Sequence, residues 1–379
     1  MRSRPPKKII YFVSEDWYFC SHRLNLAIAV QKEGYNVKVL TRVREHGEKI
    51  TKSGLELIPL EMNRHGLNPV ADLVLLLKII RIYRKEKVDI VHHVAMKPVL
   101  YGSLAAWLTG VPVVINALAG MGYLFGSGKA GGRTVIKKLV SFVFQFLFQR
   151  KNSKVIVQNP DDRELLMQAI HTPADRITLI KGAGVDVRLF FPYSHSEKKI
   201  VIVLVARMLW DKGIGEFVKA AGSLTEKGIK ARFVLVGAPD FGNPEAIAEE
   251  QLQQWQGNGV IEWWGHCNNM VAVLQQAHIA CLPSYREGLP KSLIEAAAAG
   301  LPIVTTDVPG CREVVDHSVN GLLVPVNDYK ALVVALESLI QSKELREQMG
   351  RESRLKVERE LSDTVIINQT LAMYKEMLR

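Results

Sequence analysis

Short unbroken apolar runs recur along the chain, separated by longer segments in which apolar positions return every three or four residues. Ile9–Val13, Val37–Thr41, Ile90–His93, Val113–Ala117 and Val155–Gln158 form one set of such runs. They predict strands buried on both faces of a parallel sheet, and the stretches between them predict crossover helices. A second set follows the same rule: Ile200–Val205, Arg232–Val236, Val260–Trp263, Ile279–Pro283 and Ile303–Thr305. The pattern is that of an α/β chain with two Rossmann-like, doubly wound halves. Asp186–Lys199, where Pro192, Ser194, His195, Ser196 and two lysines interrupt both periods, predicts the linker. The expected domains are 1–190 and 191–362. The end from Ala331 to Arg379 reads as helical, and a last helix at about 363–379 is expected to pack back on the first domain.

A length of 379 residues is too great for one core at the usual ~100–200 residues per domain. Hydrophobic residues at 48% and charged residues at 23% exclude a disordered or fibrous chain. Residues 98–128 carry no charge and are long enough to span a bilayer. Gly102, Gly110-Val111-Pro112, Asn116 and Gly120 divide them into a helix, a strand and a loop instead. The basic start Met1–Lys8 is followed by only five apolar residues before Ser14-Glu15-Asp16, which predicts a first strand rather than a signal peptide. Cys20, Cys267, Cys281 and Cys311 have neither C-x-x-C nor zinc-ligand spacing, so reduced thiols in a reducing compartment are expected.

Charge changes this picture because it is uneven. The net charge is +11, yet residues 1–190 hold 29 basic and 15 acidic side chains, and residues 191–379 hold 20 and 23. The surplus belongs to the first half. No Asp or Glu lies between Asp89 and Asp161, a window that contains Lys97, Lys129, Arg133, Lys137, Lys138, Arg150, Lys151 and Lys154. That is a local electropositive patch, suited to an anionic ligand or surface.

Ligands of open α/β sheets sit beyond the carboxyl ends of strands, so residues just past strand ends are the candidates for chemistry. Pro283-Ser284-Tyr285-Arg286-Glu287-Gly288-Leu289-Pro290-Lys291 is such a segment: a strand end, a Gly/Pro loop and the start of an alanine-rich helix that continues through Glu295. Backbone amides at a helix start suit phosphate. Glu287 and Glu295 then sit beside an anion site, where carboxylates are matched to hydroxyl donors such as those of a sugar and a ribose. Val205-Ala206-Arg207-Met208-Leu209-Trp210-Asp211-Lys212-Gly213 also follows a strand and supplies two cations. Taken alone, this Arg/Lys spacing is more often that of a solvated helix start; beside the Glu pair, a guanidinium and an ammonium can clamp a diphosphate and neutralise it as a leaving group.

These two segments resemble the donor-site motifs of the retaining glycosyltransferases of family 4, which have the GT-B fold; Glu287 to Glu295 is that family's Glu-x7-Glu. Thr305–Val315 and Asn320–Pro325 extend the resemblance, which is dense over roughly residues 200–326 and looser before them. It implies a nucleotide-diphosphate sugar, most often UDP-linked, with Arg207 and Lys212 on the diphosphate, Glu287 on the sugar, Gly288, Leu289, Pro290 and Lys291 around the donor, and Glu295 on the ribose. Glu287, Arg207 and Lys212 are the expected catalytic residues. The first half departs from the family in two places. Ser14–Arg23 replaces the usual Gly-Gly loop, and Ala119-Gly120 stands where many members have His-Gly. Lys97–Gly102 and Leu118–Phe125 resemble a subgroup that builds bacterial surface polysaccharides on lipid carriers, which implies a polyprenyl-diphosphate-linked glycan acceptor.

Acceptor-side candidates are His22, Arg23, His92, Lys97, Gly120 and Gly122. A buried structural role is the simpler reading of His92 and His93, and of His22 and Arg23; Gly120-x-Gly122 reads as an acceptor-side loop rather than a dinucleotide fingerprint. No Asp-x-Asp occurs in the chain, so no metal cofactor is expected. The helix-patterned stretch from Arg133 to Lys151, with Phe142, Phe144, Phe146 and Phe148 among flanking cations, fits a core helix or one that also dips into an anionic membrane; the basic region Arg133–Lys154 is the expected membrane contact. The expected location is cytoplasmic, peripheral on the inner face of the cell membrane. Two rivals remain. A nucleotide-sugar epimerase or phosphorylase shares the architecture; a basic nucleic-acid-binding protein fits the charge, but no nucleic-acid module is recognisable and no nucleic-acid partner is expected.

Overall fold

The computed structural model describes residues 5–63, 68–118, 131–193 and 199–379, with the backbone alone for 131–139. Contacts divide these residues into two compact units, Met1–Ala183 with Ile366–Arg379, and Gly184–Val365. The division falls before Gly184 because Val185 belongs to the second core and Val187 and Phe190 pack on it. Both units are built on wholly parallel sheets, as GT-B requires.

The first sheet holds β1 (Lys8–Glu15), β2 (Asn36–Arg42), β3 (Glu56–Pro59), β4 (Ile90–Val94), β5 (Val113–Ala117), β6 (Ser153–Val157) and β7 (Ile177–Leu179). Their order is β3-β2-β1-β4-β5-β6-β7. Successive side chains of a strand point to opposite faces. Ile9, Tyr11 and Val13 accordingly pack with Ile366, Leu371, Met373 and Tyr374 of the final helix, Asp363–Met377. Ile10 and Phe12 pack on the other face, against Leu75, Ile79 and Tyr83 of helix Pro69–Glu86 and Ala105 and Ala106 of helix Met96–Thr109.

The second sheet holds β8 (Ile200–Val205), β9 (Ala231–Val236), β10 (Glu262–Trp263), β11 (Ile279–Leu282), β12 (Ile303–Thr306) and β13 (Gly321–Val324), in the order β10-β9-β8-β11-β12-β13. Ile202, Leu204, Phe233, Val234 and Ile279 are buried at its centre, each worth about 1.5–3 kcal/mol against exposure. β3, β7 and β13 lie at sheet edges; polar positions interrupt the first two, and β13 is apolar throughout but only four residues long. β10 is shorter than Val260–Trp263 because it pairs with β9 only at Glu262 and Trp263.

Candidate functional site

In the second sheet the strand order reverses between β8 and β11: β9 and β10 lie to one side of β8, and β12 and β13 beyond β11. Loops that leave the carboxyl ends of two such strands diverge and open a crevice. Here they are stitched together at its base. The amide of Tyr285 donates to the carbonyl of Asp211 at 2.8 Å, and the Ser284 hydroxyl donates to the same oxygen at 3.1 Å. Gly213 has φ +71°, and a Cβ there would lie 2.0 Å from the Pro283 carbonyl oxygen. Only glycine allows that approach at that backbone angle.

Across this junction Lys212 Nζ lies 2.7 Å from Glu287 Oε1, with side chains 15% and 13% exposed. A carboxylate offers about four acceptor positions, so one ammonium leaves capacity for hydroxyl donors. The loop after β12 closes on the same segment: a Cβ on Gly310 would meet the Gly288 carbonyl oxygen at 2.5 Å and that of Glu287 at 2.7 Å. The Thr306 hydroxyl donates to the Ser284 carbonyl. Burial pushes the nearby Cys311 thiol up to about 12, and the Glu287 charge adds to this, so the thiol stays protonated.

Arg207 is half exposed, and its Nη1 lies 2.6 Å from Asp240 Oδ2. Helix Lys291–Ala298 starts directly after Pro290, and Leu289 packs on the core. Two charged groups one turn apart meet on this helix: Lys291 Nζ is 3.2 Å from Glu295 Oε1, and burial pushes the Glu295 carboxyl above its ordinary range while Lys291 opposes the rise. Arg207, Lys212, Glu287 and Glu295 therefore all lie on carboxyl-end loops of the central strands or on the helix that follows one.

The first sheet has its own reversal, between β1 and β4. Just past β4, Ala95 adopts φ +77°, a strained angle for a residue with a Cβ. Lys97 follows and pairs with Asp72 at 3.2 Å. His22 stacks on Tyr18 with ring centroids 4.1 Å apart. His92 is only 1% exposed: it stacks on Tyr11 at 5.1 Å and its Nδ1 bonds the Tyr374 hydroxyl, an interior position unsuited to touching an acceptor directly. Arg23 is 5% exposed and sits near enough to depress the His92 imidazole further below its ordinary range, after burial itself. His93 is also interior, bonded to Tyr83 and Asn116. Gly120 and Gly122 lie outside the described residues.

The glycosyl transferases group 1 family matches residues 187–356, and the glycosyl transferase 4-like family matches residues 8–159. The chain is a glycosyltransferase, its first half matching the 4-like family and its second the group 1 family. A curated relative from Campylobacter jejuni, N,N'-diacetylbacillosaminyl-diphospho-undecaprenol alpha-1,3-N-acetylgalactosaminyltransferase, is 29% identical over 94% of this chain and 95% of its own. The Escherichia coli UDP-Gal:alpha-D-GlcNAc-diphosphoundecaprenol alpha-1,3-galactosyltransferase is 26% identical over 74% of this chain and 73% of its own. Among solved structures, Anabaena HepE in complex with UDP and glucose has a TM-score of 0.79 at 15% identity, covering 97% of this chain and 99% of that one. Sucrose-phosphate synthase from Thermosynechococcus elongatus also scores 0.79, at 18% identity over 98% and 99%. These likenesses establish GT-B as the fold of this glycosyltransferase.

Sequence reasoning missed two residues of the glycosyltransferase's second unit. Asp240, which holds Arg207, lies in the turn-rich Gly237–Gly242 loop after β9. The carboxyl-end rule would have directed attention to that loop. Glu216 hydrogen-bonds the Tyr285 hydroxyl, whose pKa rises to about 12 through burial first and this contact second. Among the described residues no group of three or more His, Cys, Asp or Glu side chains could hold a metal ion, and no helix is long and apolar enough to cross a membrane. Helix Gly131–Phe148 turns Phe144 and Phe148 into the core, while Phe142 is 69% and Phe146 45% exposed. Both readings of the phenylalanine-rich stretch thus have residues to carry them.

Proposed function

We propose that this glycosyltransferase moves a sugar from a UDP-linked donor to a polyprenyl-diphosphate-linked glycan, with retention at the anomeric carbon and without a metal ion. The observation that carries the donor side is the Lys212–Glu287 pair across the β8/β11 reversal. In this reading Arg207 and Lys212 bind the diphosphate and offset the charge that develops as it departs. Glu287 accepts hydrogen bonds from the sugar hydroxyls and Glu295 from the ribose, with Gly288, Leu289, Pro290 and Lys291 forming the donor loop and helix start. The departing diphosphate oxygen helps deprotonate the incoming hydroxyl on the same face, so no protein nucleophile is needed. The second unit holds the donor and the first the acceptor, with His22, Arg23 and Lys97 on the acceptor side and His92 acting from the interior through its neighbours.

The relatives from C. jejuni and E. coli, both named for diphospho-undecaprenol acceptors, support the acceptor class. The same acceptor class supports a peripheral location on the inner face of the cytoplasmic membrane, with Phe142, Phe146 and the cations of Arg133–Lys154 among the contacts. Nucleic acid is not expected as a partner. The test is transfer from a panel of UDP-, GDP- and ADP-sugars to an undecaprenyl-diphosphate-linked sugar, with the anomeric configuration of donor and product compared by NMR. Retained configuration with a UDP-sugar is the expected result. Inversion would refute the mechanism, and conversion of nucleotide sugar without acceptor would point to an epimerase.

A further inference from the structure

Helix Pro69–Glu86 carries a surface that the donor and acceptor sites do not use. Its inward side is settled: Leu75, Ile79 and Tyr83 are buried in the core. Its outward side is unusual for a surface helix. Val70 is 74%, Leu73 57%, Val74 46% and Leu77 51% exposed, and these positions are spaced i, i+3, i+4 and i+7. Lys78, Arg81, Arg84 and Lys85 are exposed as well. At 3.6 residues per turn all eight fall within about 140° of the helix circumference, apolar over its first half and cationic over its second.

The two carboxylates of the helix are both neutralised on its inner side. Asp72, 12% exposed, pairs with Lys97 at 3.2 Å; Glu86, 16% exposed, pairs with Lys38 at 2.7 Å. The outward face is thereby left with apolar groups and positive charge. Two neighbouring helices on the same side of the sheet add to it. Helix Met96–Thr109 exposes Trp107 (42%) and Leu108 (46%), and helix Gly131–Phe148 exposes Phe146, whose ring lies edge-on to Trp107 at 5.2 Å.

We infer that the outward face of Pro69–Glu86 docks this glycosyltransferase on an anionic lipid bilayer, with Val70, Leu73, Val74 and Leu77 entering the headgroup boundary and Lys78, Arg81, Arg84 and Lys85 meeting lipid phosphates. The absence of any carboxylate on that face selects this occupant, since an apolar stripe of exposed leucines and valines beside four cations is matched by a surface that is apolar within and negative at its edge. The inference deepens the lipid-linked acceptor reading and rests on it only for the identity of that surface.

Flotation of the full chain with vesicles that contain no lipid-linked sugar tests it. The wild type is expected to float with phosphatidylglycerol vesicles and not with phosphatidylcholine vesicles, and to be released by salt. Leu73→Ser with Leu77→Ser, and separately K78Q/R81Q/R84Q, should each lower vesicle affinity about tenfold or more, each surface cation being worth about 1 kcal/mol. All of these residues are exposed, so thermal unfolding should be unchanged in both variants, which guards against misfolding. Full retention of flotation by both variants overturns the inference, as does loss only on replacing Phe142 and Phe146. A concentration-dependent dimer abolished by the Leu73 and Leu77 substitutions, without vesicle binding, assigns the face to a second copy and also overturns it. Flotation as expected with no transfer to lipid-linked acceptor leaves the docking surface standing and removes the acceptor reading.

Discussion

The Lys212 ammonium and the Glu287 carboxylate, 75 residues apart in sequence, meet at 2.7 Å where the second sheet reverses its strand order. If Lys212 offsets charge on the leaving diphosphate, Lys212→Met should lower kcat about a hundred- to a thousandfold, the usual effect of removing one such electrostatic contact. Glu287→Gln should be comparably impaired. If the two paired groups act as a unit, the double variant should lose far less than the product of the single losses. Steady-state kinetics on the four proteins of this cycle decides it, and strictly multiplicative effects would show that the pair is not a functional unit.

Gly213 sets how closely the loops after β8 and β11 approach. Gly213→Ala places a methyl group 2.0 Å from the Pro283 carbonyl oxygen in a left-handed backbone. The expected cost is about 2 kcal/mol or more, accompanied by a fall in kcat as Lys212 and Glu287 are pushed apart. Urea unfolding and kinetics measure the two effects; unchanged stability would contradict the tight junction.

Acid should weaken the fold through the interior histidines of the first unit. Burial holds His92 well below the ordinary imidazole range and His93 at about 4. Below about pH 6.5 the unfolded chain binds protons that these rings refuse in the folded state, so stability falls as pH drops through that window. Each ring contributes a slope of up to about 1.4 kcal/mol per pH unit. His92→Gln should remove its share, seen as a shallower dependence of unfolding free energy between pH 7 and pH 5. Tyr374→Phe, which deletes the hydroxyl shared by His92 and Tyr11, should cost about 1–3 kcal/mol at neutral pH.

Metal removal provides another test. In the proposed mechanism Arg207 and Lys212 supply the positive charge that an Asp-x-Asp-bound ion would otherwise supply, and the chain has no Asp-x-Asp. Transfer rates are expected to be equal in EDTA and in magnesium or manganese. An absolute metal requirement would refute the assignment of leaving-group stabilisation to these two side chains.

What could be read from the chain follows from how much each feature depends on distant partners. β8 is legible to the residue because a strand covered on both faces is apolar throughout, and β5 is legible despite Asn116, whose buried carboxamide is hydrogen-bonded to His93 and Ser103. Edge strands such as β3 and β7 have no such requirement. Arg207 and Lys212 announced themselves by position after a strand, whereas Asp240 acquires its place beside Arg207 only through the pairing of β8 with β9. Phe144 and Phe142 look alike in sequence, and only packing separates the core residue from the exposed one. Helix Pro69–Glu86 is apolar on nearly every side over its first half, so sequence alone does not separate its outward stripe from its core face.

The Tyr11–Tyr374 hydrogen bond joins residues 363 positions apart, so β1 is synthesised long before the helix that covers it. Until the final helix emerges, the face of β1 and β4 that Ile366, Leu371 and Tyr374 cover remains open, with Tyr11 and His92 unscreened. The second unit has no such wait, since its strands and core lie within Gly184–Val365. Vectorial synthesis therefore does not give an N-terminal-first order of completion here. The half that leaves the ribosome first is the half that closes last, and it must be shielded from aggregation in the interval.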